Sequence, residues 1–378
     1  MNNLSPQSSL HFLNSSSLPD NNSLIVTTKN VISYNLIGSL NNDIPVWLFS
    51  LLMEVTSYAM IVVAVFGLVG NIFILITYSK IGFSDSINIS YCALSVSDIF
   101  CVVFMTWNGI CFIPAFAASD IPFISSQIVI PTGGFPSDTF SKTTAWITAF
   151  ISLERCMCVV FPLKIKSIAK AGRTVFVIIA IFTFTVLPLT SISLYTYTFH
   201  PRFHPGKNKT LLGIKFRNTP LARFLDNARY MYTVVFMNFT PLAVIILCSI
   251  FLAVHLKRSA SWRLENSGDT RKKTENSSTL DDRAQRRYEK DMRVAKTVLV
   301  IALTFLVAGL VTNVKIIMAM NLPEFRQLGT LSRSFEFTSR LAFFLSMINS
   351  SVNFFIYYKM GTKFKKTFHD MVLRTKLK

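Results

Sequence analysis

Asp98 is a lone carboxylate in Leu94-Ser-Val-Ser-Asp98, set in a stretch of otherwise apolar and small residues. Such a group is costly unless it is bonded, so it marks function or a built polar network. One reading is a neutral, protonated acid hydrogen-bonded to Asn71 and Asn353. Glu154 and Arg155 stand side by side where another apolar stretch ends. They can hold each other, or the arginine can snorkel towards lipid phosphates. Asp138 and Lys142 are four residues apart, the spacing at which a helix lets opposite charges neutralise each other. Lys142 would stand about 20 Å along that helix from Arg155. Lys315, Arg340 and Arg229 lie near the ends of other apolar stretches. With Lys142 they outline a cavity for an anionic or carboxylate-bearing ligand; the alternative is snorkelling and internal salt bridges.

The elements that must position these residues follow from composition. Of 378 residues 51% are hydrophobic, Phe occurs 34 times and only 15% are charged. The mean hydropathy is +0.46. Soluble domains carry about 25% charged residues, so this balance argues against a soluble enzyme, a disordered chain or a coiled coil. A bilayer core needs about 20 mostly apolar residues per helix. Seven stretches qualify, at roughly 55–79, 87–112, 136–160, 174–198, 230–255, 294–320 and 336–358, the third being the least apolar. They do not alternate polar and apolar, which excludes barrel strands. The expected fold is an all-α membrane protein, a seven-helix bundle with a short amphipathic helix after the last span. Residues 1–54 form an N-terminal segment, 55–358 the bundle with a long loop at about 256–293, and 359–378 the amphipathic helix and tail.

The net charge of +19 tracks the membrane rather than nucleic acid. With the N-terminus outside, the inner segments hold 24 of the 38 basic residues. The outer loop 199–229 is also basic. The sequons at Asn3, Asn14, Asn21 and Asn208 all fall on the outer side and are read as glycosylation sites. The six cysteines show no disulfide framework or zinc spacing, and no metal ligand cluster is expected apart from the sodium site discussed below. No cysteine follows the last span to carry a palmitoyl anchor.

Several motifs recur in a fixed order. Gly67-Leu-Val-Gly70-Asn71 lies in the first span and Leu94 to Asp98 in the second. Glu154-Arg155 closes the third, followed by Phe161-Pro162-Leu163. Asn349-Ser-Ser-Val-Asn353-Phe-Phe-Ile-Tyr357 closes the seventh, before the basic Lys363-Phe-Lys-Lys366. From about residue 55 to 370 the chain resembles the rhodopsin-like G-protein-coupled receptors. Its divergence is similar to that of invertebrate chemosensory or peptide receptors.

The resemblance implies a plasma-membrane receptor, N-terminus outside and C-terminus inside, that catalyses nothing. An extracellular peptide or small molecule and a heterotrimeric G protein would be its partners. Glu154 would hold Arg155 until activation frees it to meet the G protein, with Pro162 and Leu163 beside it. Asp98 would bind an allosteric sodium ion with Thr144, Asn349, Ser350 and Asn353. Tyr357 would hydrogen-bond across the inner cavity, against a reading as an interface-belt tyrosine.

The chain also departs from the family. Phe354 replaces the proline of the seventh span. Ala308-Gly309-Leu310-Val311 stands where the sixth usually has Cys-Trp-x-Pro. Ile130 and a cysteine-free second outer loop replace the usual disulfide. Ser137 takes the place of the amine-receptor aspartate, which disfavours a monoamine ligand. A polytopic transporter is the main alternative, but the two halves show no repeat and seven is odd for a two-fold design. None of the five histidines lies mid-span to form a membrane metalloenzyme, and no phosphate-binding loop occurs.

Overall fold

The computed structural model describes residues 43–160, 170–266, 279–326 and 329–376. Its main elements are α1 (Val46–Ile81), α2 (Ser86–Cys111), α3 (Pro114–Ala118), α4 (Ser125–Val129) and α5 (Phe135–Val160). They continue with α6 (Ala171–Thr196), β1 (Tyr197–His204), β2 (Lys209–Phe216), α7 (Pro220–Met231) and α8 (Thr240–Asn266). The chain then runs through α9 (Thr279–Asn321), α10 (Ser332–Met360) and α11 (Thr362–Lys376). Wider π-helical turns, Ile130–Gly134 and Tyr232–Phe239, lead into α5 and α8.

Among the described residues six segments are long and apolar enough to cross a membrane: α1, α2, α6, Pro220–Arg258 across α7 and α8, Met292–Asn321 of α9, and α10. The helix that misses this measure is α5. It packs against α2, α6, α8 and α9. Enclosed by protein, it buries Ser137, Thr139, Thr143, Thr144, Thr148 and Ser152. A helix wrapped by other helices has no lipid-facing stripe to keep apolar.

The expected boundaries shift in two places. The first helix begins at Val46 rather than 55, because the apolar run Val46–Phe49 directly follows Pro45. Helix α9 begins at Thr279, ahead of the apolar stretch that starts near 294, since a helix can outrun its apolar part.

The all-α expectation also needs correction. Within the basic loop 199–229, β1 and β2 pair antiparallel from Tyr197↔Phe216 to His204↔Lys209. The turn closes at Asn208, in the left-handed conformation at φ 47°. Asn visits that region more readily than most residues. Thr219 then caps α7 by accepting from the Ala222 amide at 3.2 Å, with Pro220 in the first helical position.

Small residues and prolines set the close approaches. Gly67 and Gly70 lie on α10: a Cβ at Gly70 would meet Phe354 Cβ at 3.1 Å, and one at Gly67 would collide with the Ser351 hydroxyl. Pro188 lacks an amide to bond the Phe184 carbonyl. That carbonyl instead accepts from the Tyr232 hydroxyl at 2.8 Å, tying α6 to the turn before α8.

One end of the bundle carries the hairpin and the other carries α11. At the hairpin end noncovalent ties stand where the family has a disulfide. Leu212 N donates to Pro122 O and Ile124 N to Leu212 O, both at 2.9 Å. Ile214 N donates to Gln127 Oε1 at 3.2 Å, and Lys209 pairs with Asp120 at 2.9 Å. The Lys209 hydrogen bonds and charge hold the Asp120 pKa below its usual value.

At the same end Asp43 fastens the chain before α1 to the start of α10. Its Oδ1 accepts from the Ser334 amide (2.9 Å) and hydroxyl (2.6 Å), and its Oδ2 from the Arg333 amide (2.9 Å). Burial alone would raise the Asp43 pKa. The bonds from the Ser334 hydroxyl and the Ile44, Arg333 and Ser334 amides outweigh it and lower the pKa. Loss of such a cap costs about 0.5–2 kcal/mol, so Asp43→Ala is expected to unfold at lower temperature. A carboxyl whose pKa is lowered on folding adds stability above its ordinary value of 3.8 and loses it as pH falls through the lowered one. The gap between wild type and variant in thermal unfolding is therefore expected to be full at pH 6 and to close on acidification below 3.8.

Candidate functional site

Asp98 is fully buried, with partners from two other helices. The Thr144 hydroxyl of α5 donates to Oδ1 at 2.9 Å and that of Ser350 of α10 at 2.8 Å. Asn353 Nδ2 donates to Oδ2 at 2.7 Å. Three partners thus share the two carboxyl oxygens. Asn71 joins one step removed. Its Nδ2 donates to the carbonyls of Ser350 (2.7 Å) and Gly67 (2.9 Å), so it binds α10 rather than Asp98.

A narrow cavity of about 40 Å³ adjoins this cluster. Thr144 and Ser350 belong to its wall, as do Lys142, Asn238, Thr312 and Asn349. Asn349 thus faces the cavity without a hydrogen bond to Asp98. Gly309 also lines it, where the family carries a tryptophan. Towards the hairpin end Lys142, buried, pairs with Asp138 at 3.3 Å. Lys315 feels the charges of both and lies 5.7 Å from the Phe335 ring centre.

The other two expected cavity cations lie elsewhere. Arg229 bonds Asp226 at 2.7 Å and covers the Phe135 ring at 4.7 Å. Arg340 turns towards α1 and α2. Neither belongs to the cavity wall. A side chain near the end of an apolar stretch can face any neighbour, and spacing alone does not choose one.

At the α11 end Arg155 Nη2 lies 3.2 Å from Glu154 Oε1, and both side chains are buried. The Ser86 hydroxyl of α2 also donates to that oxygen. Arg155 Nε and Glu154 Oε2 lack partners among the described residues. Pro162 and Leu163 lie outside the described residues, as do Asn3, Asn14 and Asn21. A larger cavity of about 360 Å³ opens here, walled by Tyr78, Tyr91, Arg293, Thr297, Tyr357 and Phe364. The Tyr91 and Tyr357 rings are 4.4 Å apart, and both hydroxyls are buried without a partner among the described residues. Tyr357 is therefore a cavity residue and not an interface-belt tyrosine. Arg293 Nη1 donates to Thr362 Oγ1 at 2.8 Å, joining α9 to the start of α11.

Sequence reasoning missed Asn238, Thr312 and Ser86. Polar residues inside otherwise apolar runs were the available signal for the first two. Ser86, at the first turn of α2, carried none.

A family model described as "7 transmembrane receptor (rhodopsin family)" matches residues 70–357. No curated protein matches the chain.

The Asp98 geometry separates two neighbours that sequence treats alike. Ser350→Ala removes a bond to a buried carboxylate and is expected to cost about 1–3 kcal/mol. Asn349→Ala removes none of the Asp98 bonds and is expected to cost less. Thermal unfolding of the two variants in lipid nanodiscs checks the order.

Proposed function

Because the chain belongs to the rhodopsin family of seven-transmembrane receptors, we propose that it binds an extracellular ligand and activates a heterotrimeric G protein. The observation that carries this reading is the buried Glu154–Arg155 pair, 3.2 Å apart, bonded by Ser86, whose neighbours Ile87 and Asn88 line the larger cavity. Tyr91 links the two features: it walls that cavity and feels the charges of both residues. A buried pair with unspent hydrogen-bonding capacity on both sides is a two-state element that a ligand can bias. In the resting state Glu154 holds the guanidinium. In the active state Arg155 turns to the G protein as the inner ends of α8 and α9 move outward, which requires Arg293 to release Thr362.

In this reading α5 is the third span in chain order and brings the count to seven, its polar face shielded by the other helices. The protein lies in the plasma membrane with the α11 end in the cytoplasm, as the distribution of lysine and arginine supports. The basic helix α11, with Lys363, Lys365 and Lys366, lies along the inner leaflet. The hairpin end faces outside, with glycans on Asn208 in its turn and on Asn3, Asn14 and Asn21.

The ligand is a peptide or small chemosensory molecule that enters from the hairpin end and carries an anionic group. Two lysines, Lys142 and Lys315, face one carboxylate, Asp138, and leave a surplus positive charge there. Asp98 supports an allosteric sodium ion. It is a buried carboxylate flanked by the Thr144 and Ser350 hydroxyls and the Asn353 amide, with Asn349 in the adjoining wall. The carboxylate and the two hydroxyl oxygens fit a hard cation, and the Asn353 amide, which turns its Nδ2 to Asp98, would have to flip to add its oxygen. When bound, the ion supplies the positive charge that this buried carboxylate lacks.

G-protein nucleotide exchange in cells, screened with peptides and small anions, tests the proposal. Arg155→Ala is expected to lose at least about tenfold of the ligand-stimulated rate, the effect of a 1.4 kcal/mol change, with surface expression retained. A response unchanged by the substitution would remove the switch role from Arg155. Asn208→Gln is expected to remove one glycan from the mature protein, read as a faster band on a denaturing gel. An unchanged band would count against an extracellular hairpin.

A further inference from the structure

Arg340 is 3% exposed. The other buried cations of the bundle have counter-charges: Lys142 has Asp138 and Arg155 has Glu154. Among the described residues no carboxylate lies within ion-pair distance of Arg340.

Its surroundings are built to hold a cation. Nη1 donates to the Asn108 side-chain oxygen and, at 3.4 Å, to the Asn108 carbonyl. Nη2 donates to Ser57 Oγ at 2.5 Å, and the Ser57 hydroxyl spends its own hydrogen on Met53 O at 2.7 Å. The Phe112 ring covers one face at 4.4 Å. Asn108 and Ser57 are themselves buried. Nε has no partner among the described residues, and Nη2 keeps a second hydrogen. These are N–H donors of the kind that receive a carboxylate or a similar anion.

A buried charge left unpaired is strongly unfavourable. The neutral partners fix the position of the guanidinium but do not neutralise it. We propose that Arg340, with Asn108 and Ser57, forms a binding site for a singly charged anion between α1, α2 and α10. This site is separate from the Lys142 cavity. Free chloride and the carboxylate of a larger ligand share the required chemistry. The inference concerns binding alone, so it stands or falls independently of G-protein coupling.

The test is thermal unfolding of the full chain in zwitterionic nanodiscs, followed with a thiol-reactive dye on the six free cysteines. Sodium gluconate is exchanged for chloride or acetate at fixed sodium and ionic strength. The wild-type midpoint is expected to rise by at least about 2 °C at tenfold excess over Kd. A rise in chloride assigns the free ion, and a larger rise in acetate assigns a ligand carboxylate. Arg340→Met keeps the apolar stem and is expected to abolish the rise without lowering the midpoint in gluconate. If that variant does not fold, Ser57→Ala serves in its place: it removes the hydroxyl that positions Nη2 and is expected to shrink the rise. Identical wild-type midpoints in all three salts, or a rise that survives in Arg340→Met, would overturn the proposal. Asp20 is the one acidic residue before Asp43. An anion effect that emerges only on Asp20→Asn would also overturn it, by giving the counter-charge to the chain itself.

Discussion

A carboxylate at the centre of an apolar bundle must collect hydrogen bonds from whatever surrounds it, and Asp98 draws three helices into register to do so. It sits on α2, takes donors from Thr144 on α5 and from Ser350 and Asn353 on α10, and leaves α1 to join through Asn71 and the Ser350 carbonyl. Four helices are thereby fixed at one level. The close approach of α1 to α10 through Gly67 and Gly70 brings Asn71 within reach of that carbonyl. The glycines and the polar cluster therefore act together. A side chain at Gly67 would separate the helices, and the Asn71 bond would be lost with them.

The same logic explains how the hairpin end holds together without its family disulfide. A single covalent link is replaced by several directional contacts spread along the loop before α5. These are a short backbone ladder at Phe123 and Leu212, the Gln127 side chain on Ile214, and the Lys209–Asp120 pair. Two of them are backbone–backbone bonds, which make few demands on side-chain identity. Asp43 adds a second tie between the entry to α1 and the first turn of α10. A disulfide acts chiefly by restricting the unfolded chain. These contacts act in the folded state, so they can be lost and regained separately.

The sequence made the bundle legible because hydrophobic length and the order of the polar motifs are local properties. Asp98, Thr144, Ser350 and Asn353 were found together as expected, as were Glu154 with Arg155 and Asp138 with Lys142. The hairpin was not legible: Phe199, Pro201 and Phe203 alternate with His200, Arg202 and His204, but Pro201 argues against a paired strand, and the docking partners lie some ninety positions back, at Pro122 and Gln127. Nor could spacing show which way a terminal cation points. Arg229 and Arg340 share the character of Lys142 in sequence, yet one turns to Asp226 and the other to Asn108. Their destinations are set by packing between helices distant in sequence.

Phe354 shows how a lost motif residue can be absorbed. A proline there would weaken the last turns of α10 by removing a backbone hydrogen bond. The phenylalanine instead fills the space between α1, α10 and α11. It lies against Gly70 and within about 6 Å of the Phe73, Phe364 and Phe368 rings. The end of α10 next to α11 is thus held by packing where the family relies on a kink. One residue before it, Asn353 bonds Asp98, and three residues beyond it Tyr357 enters the larger cavity. At the other side Thr144 and Ser350 belong both to the Asp98 cluster and to the wall of the smaller cavity. A molecule in that cavity would therefore press on the donors of Asp98 directly. Asn353 and the Phe354 packing then form the physical connection from that cluster to the Tyr91–Tyr357 pair, so movement of α10 at one cavity cannot leave the other unchanged unless the aromatic packing yields first.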